Sequence, residues 1–145
     1  MRNGITWNVP PSVTLRGPMQ GKVNTAFTYW VARAYQLLVM RSPVDTGRFR
    51  GNWNVSLGKA DERNNMEWTS AATTGSPATA AEITNSGVMA TVDKIVKSGP
   101  QDTFLSNALP YAMKLEYGWS KQAPSPPGIV RLVAQQINHE MGGSK

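Results

Sequence analysis

The feature that most constrains this chain is a helical stripe followed by a proline stop. Val23, Ala26, Phe27, Trp30, Val31, Ala34, Leu37 and Leu38 recur at i, i+3, i+4 and i+7. That spacing lines one side of a helix over residues 19–41 with apolar side chains. Lys22, Arg33 and Arg41 fall largely off the stripe, and Pro43 ends the helix because the residue before a proline disfavours helical angles. A helix with one apolar side must lie on something, and the rest of the sequence supplies the partners.

The period then changes. Pro43-Val44-Asp45-Thr46-Gly47 has the residues of a turn. Phe49, Gly51, Trp53, Val55 and Leu57 alternate with Arg48, Arg50, Asn52, Asn54 and Ser56, which predicts a half-buried strand with Arg48 and Arg50 on its polar face. Residues 59–78 are polar and small, and read as a long loop with a short strand near Met66–Thr69. Residues 79–97 are helical with a break near Gly87, and Gly99-Pro100 ends them. A short strand follows over 102–108. Tyr111 to Tyr117 makes about two helical turns closed by Gly118, residues 120–128 form a proline-bearing loop, and residues 129–141 form a last helix on Ile129, Val133, Ile137 and Met141.

Residues 1–17 read as an extended arm. Trp7, Val9, Val13 and Leu15 alternate with polar positions, and Pro10-Pro11 confines such a stretch to an edge strand or a free arm. Its surface is either this domain or a neighbouring subunit. The expected organisation is an arm at 1–17, one α+β domain at 18–141 and a flexible tail at 142–145. The architecture is a small antiparallel sheet packed against one long N-terminal helix, with two further helices and long loops.

Composition narrows the chemistry. With no cysteine and the single histidine His139, thiolate metal sites and disulfides are excluded, and Ser-His-Asp catalysis would need that one residue. We expect no metal and no cofactor. His139 next to Glu140 reads as a helix C-terminal residue near the dipole. No stretch reaches the length of a membrane helix, and the N-terminus shows no apolar signal region, so a cytoplasmic product with no membrane partner is expected. Only 17% of residues are charged, and their place is taken by Ser, Thr, Asn, Gly and Pro. Uncharged polar surface is cheaper to bury against a neighbour than charged surface. A formal charge of +6 allows a polyanionic or acidic partner, but the basic residues are scattered and form no arm.

Two motifs invite catalytic readings. Asp45-Thr46-Gly47 matches the aspartic-protease triplet, whose chemistry needs two carboxylates sharing a proton. Arg48 and Arg50 would instead keep Asp45 ionised, so a turn is the better reading. Arg48 and Arg50 are expected to pair with Asp45, Glu116 or a neighbouring subunit. Glu116 among Tyr111, Tyr117 and Trp119 suggests a carbohydrate cleft, which needs a second acid that the sequence does not place. The structural reading packs Tyr111, Leu115 and Tyr117 on the sheet and pairs Glu116 with a basic residue.

Two segments in order, Ser42-Pro43-Val44-Asp45-Thr46-Gly47-Arg48-Phe49-Arg50-Gly51-Asn52-Trp53 and Leu105-Ser106-Asn107-Ala108-Leu109-Pro110-Tyr111-Ala112-Met113-Lys114-Leu115-Glu116-Tyr117-Gly118-Trp119-Ser120-Lys121-Gln122-Ala123-Pro124, resemble phage tail-completion and head–tail connector proteins. Gly128-Ile129-Val130-Arg131-Leu132 follows as a third matching run. The loop at 123–128 has more proline than that pattern, and residues 1–17 and 59–78 carry no resemblance. The resemblance implies an α+β virion protein without catalysis, forming a homo-oligomeric ring between neck, connector or tail proteins. Its motif residues here are Asp45, Thr46, Gly47, Arg48, Trp53, Asn107, Pro110, Tyr111, Glu116, Tyr117 and Gly118. Trp7, Trp119, Lys121, Gln122 and Pro124 are the candidate interface residues, because aromatic side chains on exposed segments are enriched where partners bind. Non-specific contact of Lys and Arg with DNA passing through a neck is a further expectation. The alternatives are a basic nucleic-acid-binding module and, after it, a small hydrolase.

Overall fold

A computed structural model describes residues 4–9, 20–44, 47–118 and 128–142. It contains β1 (Ile5–Val9), α1 (Gln20–Arg41), β2 (Trp53–Leu57), α2 (Ala80–Ser86), α3 (Val88–Ser98), β3 (Thr103–Asn107), α4 (Ala112–Tyr117) and α5 (Val130–Glu140). This is the expected α+β class, with five α-helices among the described residues.

The three strands form one antiparallel sheet in the order β1-β3-β2. β3 is therefore central, with Trp53 and Ile5 opposite Asn107, Val55 and Trp7 opposite Leu105, and Leu57 and Val9 opposite Thr103. Residues opposite one another share a face. Ile5, Trp53, Val55 and Leu105 thus mark the core side, and all four are buried. The other face carries Thr6, Asn54 and Ser106 in one row. Of the two arm readings, Ile5–Val9 takes the edge strand, and residues 10–17 lie outside the described residues.

The C-terminal half of α1 fills the middle of the core. Val31, Ala34, Tyr35, Leu38 and Val39 are buried, whereas Ala26 is exposed. Tyr35 and Val39 lie beside the anticipated stripe. They are buried because α1 touches α3, α5 and β2 and so has neighbours on several sides. Leu109, Ile129, Val133 and Ile137 complete the same core.

Three expectations need correction. The strand does not begin at Phe49: Gly51 N–H donates to the Gly47 carbonyl at 3.2 Å and Asn52 N–H to Phe49 at 3.1 Å. These bonds wind Arg50–Asn52 into a 3-10 turn before β2 starts. Arg50 consequently does not sit on a solvent face but is fully buried. The segment near Met66–Thr69 is not a strand: Trp68 N–H closes a turn on Asn65 at 3.2 Å. The break at Gly87 is as anticipated, with φ +79° at the joint between α2 and α3.

Candidate functional site

The two motif segments meet at the end of the sheet nearest α1. Trp53 pairs with Asn107 across the β2–β3 ladder. Asn107 donates from Nδ2 to the Phe49 carbonyl at 2.8 Å and accepts from Leu109 N–H at 3.2 Å. One buried amide thereby ties the turn before β2 to the chain leaving β3. Phe49 packs edge-on to Trp53 at 5.6 Å and tilted to Tyr111 at 6.1 Å. Trp53 donates its indole N–H to Ser42 Oγ at 2.8 Å, and Ser42 Oγ donates to the Leu38 carbonyl at 2.6 Å. The last turn of α1, the turn and β2 are thus joined by a relay of satisfied donors.

Arg50 forms the first of two buried clasps. Its Nε and Nη2 donate to the Glu82 carboxylate at 2.8 and 2.9 Å. Its remaining donors reach the Thr73 carbonyl and Ser76 Oγ, both at 3.0 Å, and the Pro77 carbonyl at 2.8 Å. All five guanidinium N–H groups are used. Glu82 also accepts Thr79 N–H at 2.8 Å, while Thr79 Oγ1 accepts Glu82 N–H at 3.1 Å. This is a capping box at the start of α2. Burial alone would raise the Glu82 carboxyl, but the Arg50 and Thr79 donors together with the Arg50 charge outweigh it and hold it below the ordinary value.

Glu116 forms the second clasp. One oxygen accepts Ile129 N–H at 2.9 Å and Val130 N–H at 2.8 Å. The other accepts Arg131 N–H at 3.3 Å and Arg131 Nε at 2.8 Å. The first turn of a helix has N–H groups with no intrahelical partner, and the positive end of its dipole favours an anion. Glu116 meets both demands for α5 from another element. Arg131 returns a bond from Nη2 to the Glu116 carbonyl at 2.7 Å and stacks 4.6 Å over the Tyr117 ring. Gly118, at φ +79°, closes α4 as expected. Arg41 Nε donates to the Gly128 carbonyl at 2.6 Å.

The polar segment 59–78 is laid against this frame. Asn52 holds Asn65 through both its amide groups, at 3.0 and 2.6 Å. Asn54 donates to the Arg63 carbonyl at 2.7 Å, and Ser106 Oγ to the Asp61 carbonyl at 2.8 Å. Gln36 Oε1 accepts Ala78 N–H at 3.0 Å. A Cβ at Gly51 would overlap the Trp68 indole, so the absent side chain is what lets Trp68 lie there. The β2–β3 part of the polar face is therefore covered by chain, and Asn54 and Ser106 are buried, whereas Thr6 on β1 stays exposed.

Of the anticipated site residues, Gly47, Trp53, Asn107 and Tyr111 come together around residues 49–51, and Glu116 forms the separate clasp on α5. Pro110 is exposed ahead of α4. Arg48 contributes its carbonyl to Asn52 at 2.8 Å. Asp45, Thr46, Trp119, Lys121, Gln122 and Pro124 lie outside the described residues, and of Trp7 only its strand position is described. Arg50 pairs with Glu82, which replaces the anticipated pairing with Asp45, Glu116 or a neighbour. Glu116 takes Arg131, in keeping with the basic partner anticipated for it. Glu82 was not anticipated, although Thr79-x-x-Glu82 is a readable capping-box spacing. His139 is exposed in the last turn of α5. Among the described residues no group of three His, Asp or Glu could hold a metal, and no helix is long and apolar enough to cross a membrane.

No family model, curated protein or solved structure matches this chain.

Proposed function

We propose that this chain is a structural virion protein of a tailed phage, a subunit of an oligomeric ring in the neck or tail-completion region that joins the head connector to the tail. The observation that carries the reading is the use of both carboxylates buried among the described residues for scaffolding. Glu82 is filled by Arg50 and Thr79, and Glu116 by the α5 N-terminus and Arg131. A carboxylate saturated with fixed donors is poorly suited to proton transfer or nucleophilic attack, which need a lone pair facing a substrate. The same clasps fix segments 73–77 and 128–131 on the core, as a docking scaffold requires.

Function then resides in outward surfaces matched to neighbours above, below and beside each subunit. A ring needs head-to-tail contacts that close on themselves. The motif loop beginning at Trp119, with Lys121, Gln122 and Pro124, is our choice for such a contact, and the basic excess suits non-specific contact with DNA in the lumen. Mass spectrometry of purified particles from the encoding phage tests the reading. The chain is expected at a fixed copy number per virion, and its absence from intact particles sinks the proposal. Trp119→Ala is expected to weaken assembly while leaving the subunit folded.

A further inference from the structure

The two edges of the sheet are built differently. The outer edge of β2 and the turn before it are occupied by side chains from the helical hairpin. Asn85 Nδ2 donates to the Gly51 carbonyl at 2.8 Å, and Thr91 Oγ1 donates to the Val55 carbonyl at 3.0 Å. Gly87 brings the joint of α2 and α3 so near that a Cβ there would lie 3.3 Å from the Val55 oxygen. No further strand can add to an edge whose acceptors are taken and whose flank is filled.

Among the described residues β1 has none of these defences. Among the described residues no hydrogen bond reaches its outer edge. Ile5-Thr6-Trp7-Asn8-Val9 holds no charge, no proline and no glycine, the usual devices that blunt an exposed edge. Its order of types is also self-complementary. Laid antiparallel on a second copy and centred on position 7, it sets Ile5 opposite Val9, Thr6 opposite Asn8 and Trp7 opposite Trp7. Apolar positions then share one face and polar positions the other, with aromatic and β-branched pairs directly across, the pairings that favour strand association.

We propose that two copies of this chain associate through β1 about a two-fold axis. The strand order becomes β2-β3-β1-β1-β3-β2, a continuous six-stranded antiparallel sheet with both outer edges closed by Asn85 and Thr91. Such a contact uses the same surface on both copies and closes at two. It is distinct from the head-to-tail contacts of a ring, so it holds or fails independently of the virion reading.

The protein tests this directly, because this chain lacks cysteine. Sedimentation of the purified protein at micromolar concentration is expected to show a dimer. Thr6 is exposed, so Thr6→Lys leaves far-UV circular dichroism unchanged, and leaves the melting curve unchanged at concentrations below the dissociation constant, where association adds no stability. It sets a long cation across from position 8 twice per dimer and raises the dissociation constant by about tenfold or more. Register is read by mixing Thr6→Cys protein with Asn8→Cys protein under mild oxidation. Positions 6 and 8 lie directly opposite across the axis, whereas 6 and 6 or 8 and 8 lie on a diagonal beyond disulfide reach. The mixed disulfide, distinguished by mass, is expected to exceed either symmetric one by about tenfold, against the roughly twofold of random pairing. A monomer up to millimolar concentration overturns the proposal. So does an oligomer indifferent to Thr6→Lys, or a statistical mixture of disulfides.

Discussion

Replacing Glu116 with Gln separates the worth of a helix cap from the worth of an ion pair. The carboxylate accepts three backbone N–H groups of the α5 entrance, at 2.9, 2.8 and 3.3 Å. Its side chain is 4% exposed, whereas that of Arg131 is 52% exposed. Gln keeps the size but offers one carbonyl oxygen, and its NH2 must face either the helix N–H groups or the guanidinium. Losing one charge-assisted bond costs about 1.5–3 kcal/mol, and losing the anion at the helix dipole about 0.5–2 kcal/mol. We expect Glu116→Gln to cost about 3 kcal/mol. For a chain of this size that corresponds to a fall in Tm of about 6–12 °C. Arg131→Ala removes a pair screened by water on one side and should cost less than about 1 kcal/mol. Urea unfolding followed by far-UV circular dichroism measures both, with an unchanged dependence on denaturant showing that the unfolding reaction is the same. If Arg131→Ala costs as much as Glu116→Gln, the stabilisation lies in the ion pair and the capping argument is wrong.

Arg50→Met should cost about 3–5 kcal/mol, because it strands a buried carboxylate and three loop acceptors. The Arg50→Met, Glu82→Leu double variant should cost less than the sum of the single changes, as a double-mutant cycle in urea would show. Gly51→Ala should displace Trp68 and loosen the segment around it, read as faster tryptic cleavage after Arg63 while the sheet remains folded. Burial pushes the Tyr35 hydroxyl, which has no hydrogen-bond partner among the described residues, up to about 12 from an ordinary 10.0. The unfolded chain thus releases this proton first, and stability is lost as pH rises from about 10 to 12, by roughly 2–3 kcal/mol. Tyr35→Phe should remove that slope from unfolding curves taken across the window. On the acid side, Arg33 holds the Glu140 carboxyl at about 2 against an ordinary 4.5, and Glu82 is also held low. Their contribution is complete above about pH 4.5 and fades as pH falls towards 2, so acid unfolding should begin there and shift upward in Arg50→Met.

Periodicity carried most of the fold. The long helix, the break at Gly87, the strand over 103–107 and the glycine-closed helix at 112–117 follow from local spacing and termination chemistry, and each lies where the sequence puts it. What periodicity missed depends on distant partners. The alternation across Phe49–Leu57 looked like one continuous strand, but Arg50 is drawn inward by Glu82, which is 32 residues away. No local pattern encodes that choice. Likewise Asn54 fell among the polar positions of the alternation, yet the carbonyls of Asp61 and Arg63 cover it. The reading of Glu116 as a residue with a basic partner was correct, but its larger role lies in backbone N–H groups, which carry no signature in the side-chain sequence.

The placement of β3 between its two neighbours has a consequence for how the chain must be made. Ile5 faces Asn107, so the first strand synthesised waits for a partner roughly a hundred residues downstream. At ordinary translation rates that interval is about 5–20 s. Throughout it, the earliest strand is open along both of its sides and β2 lacks its inner neighbour. Nascent chains crowded on one message would meet each other through those strands before either could complete its own sheet, and slower elongation between codons 60 and 107 would lengthen the hazard.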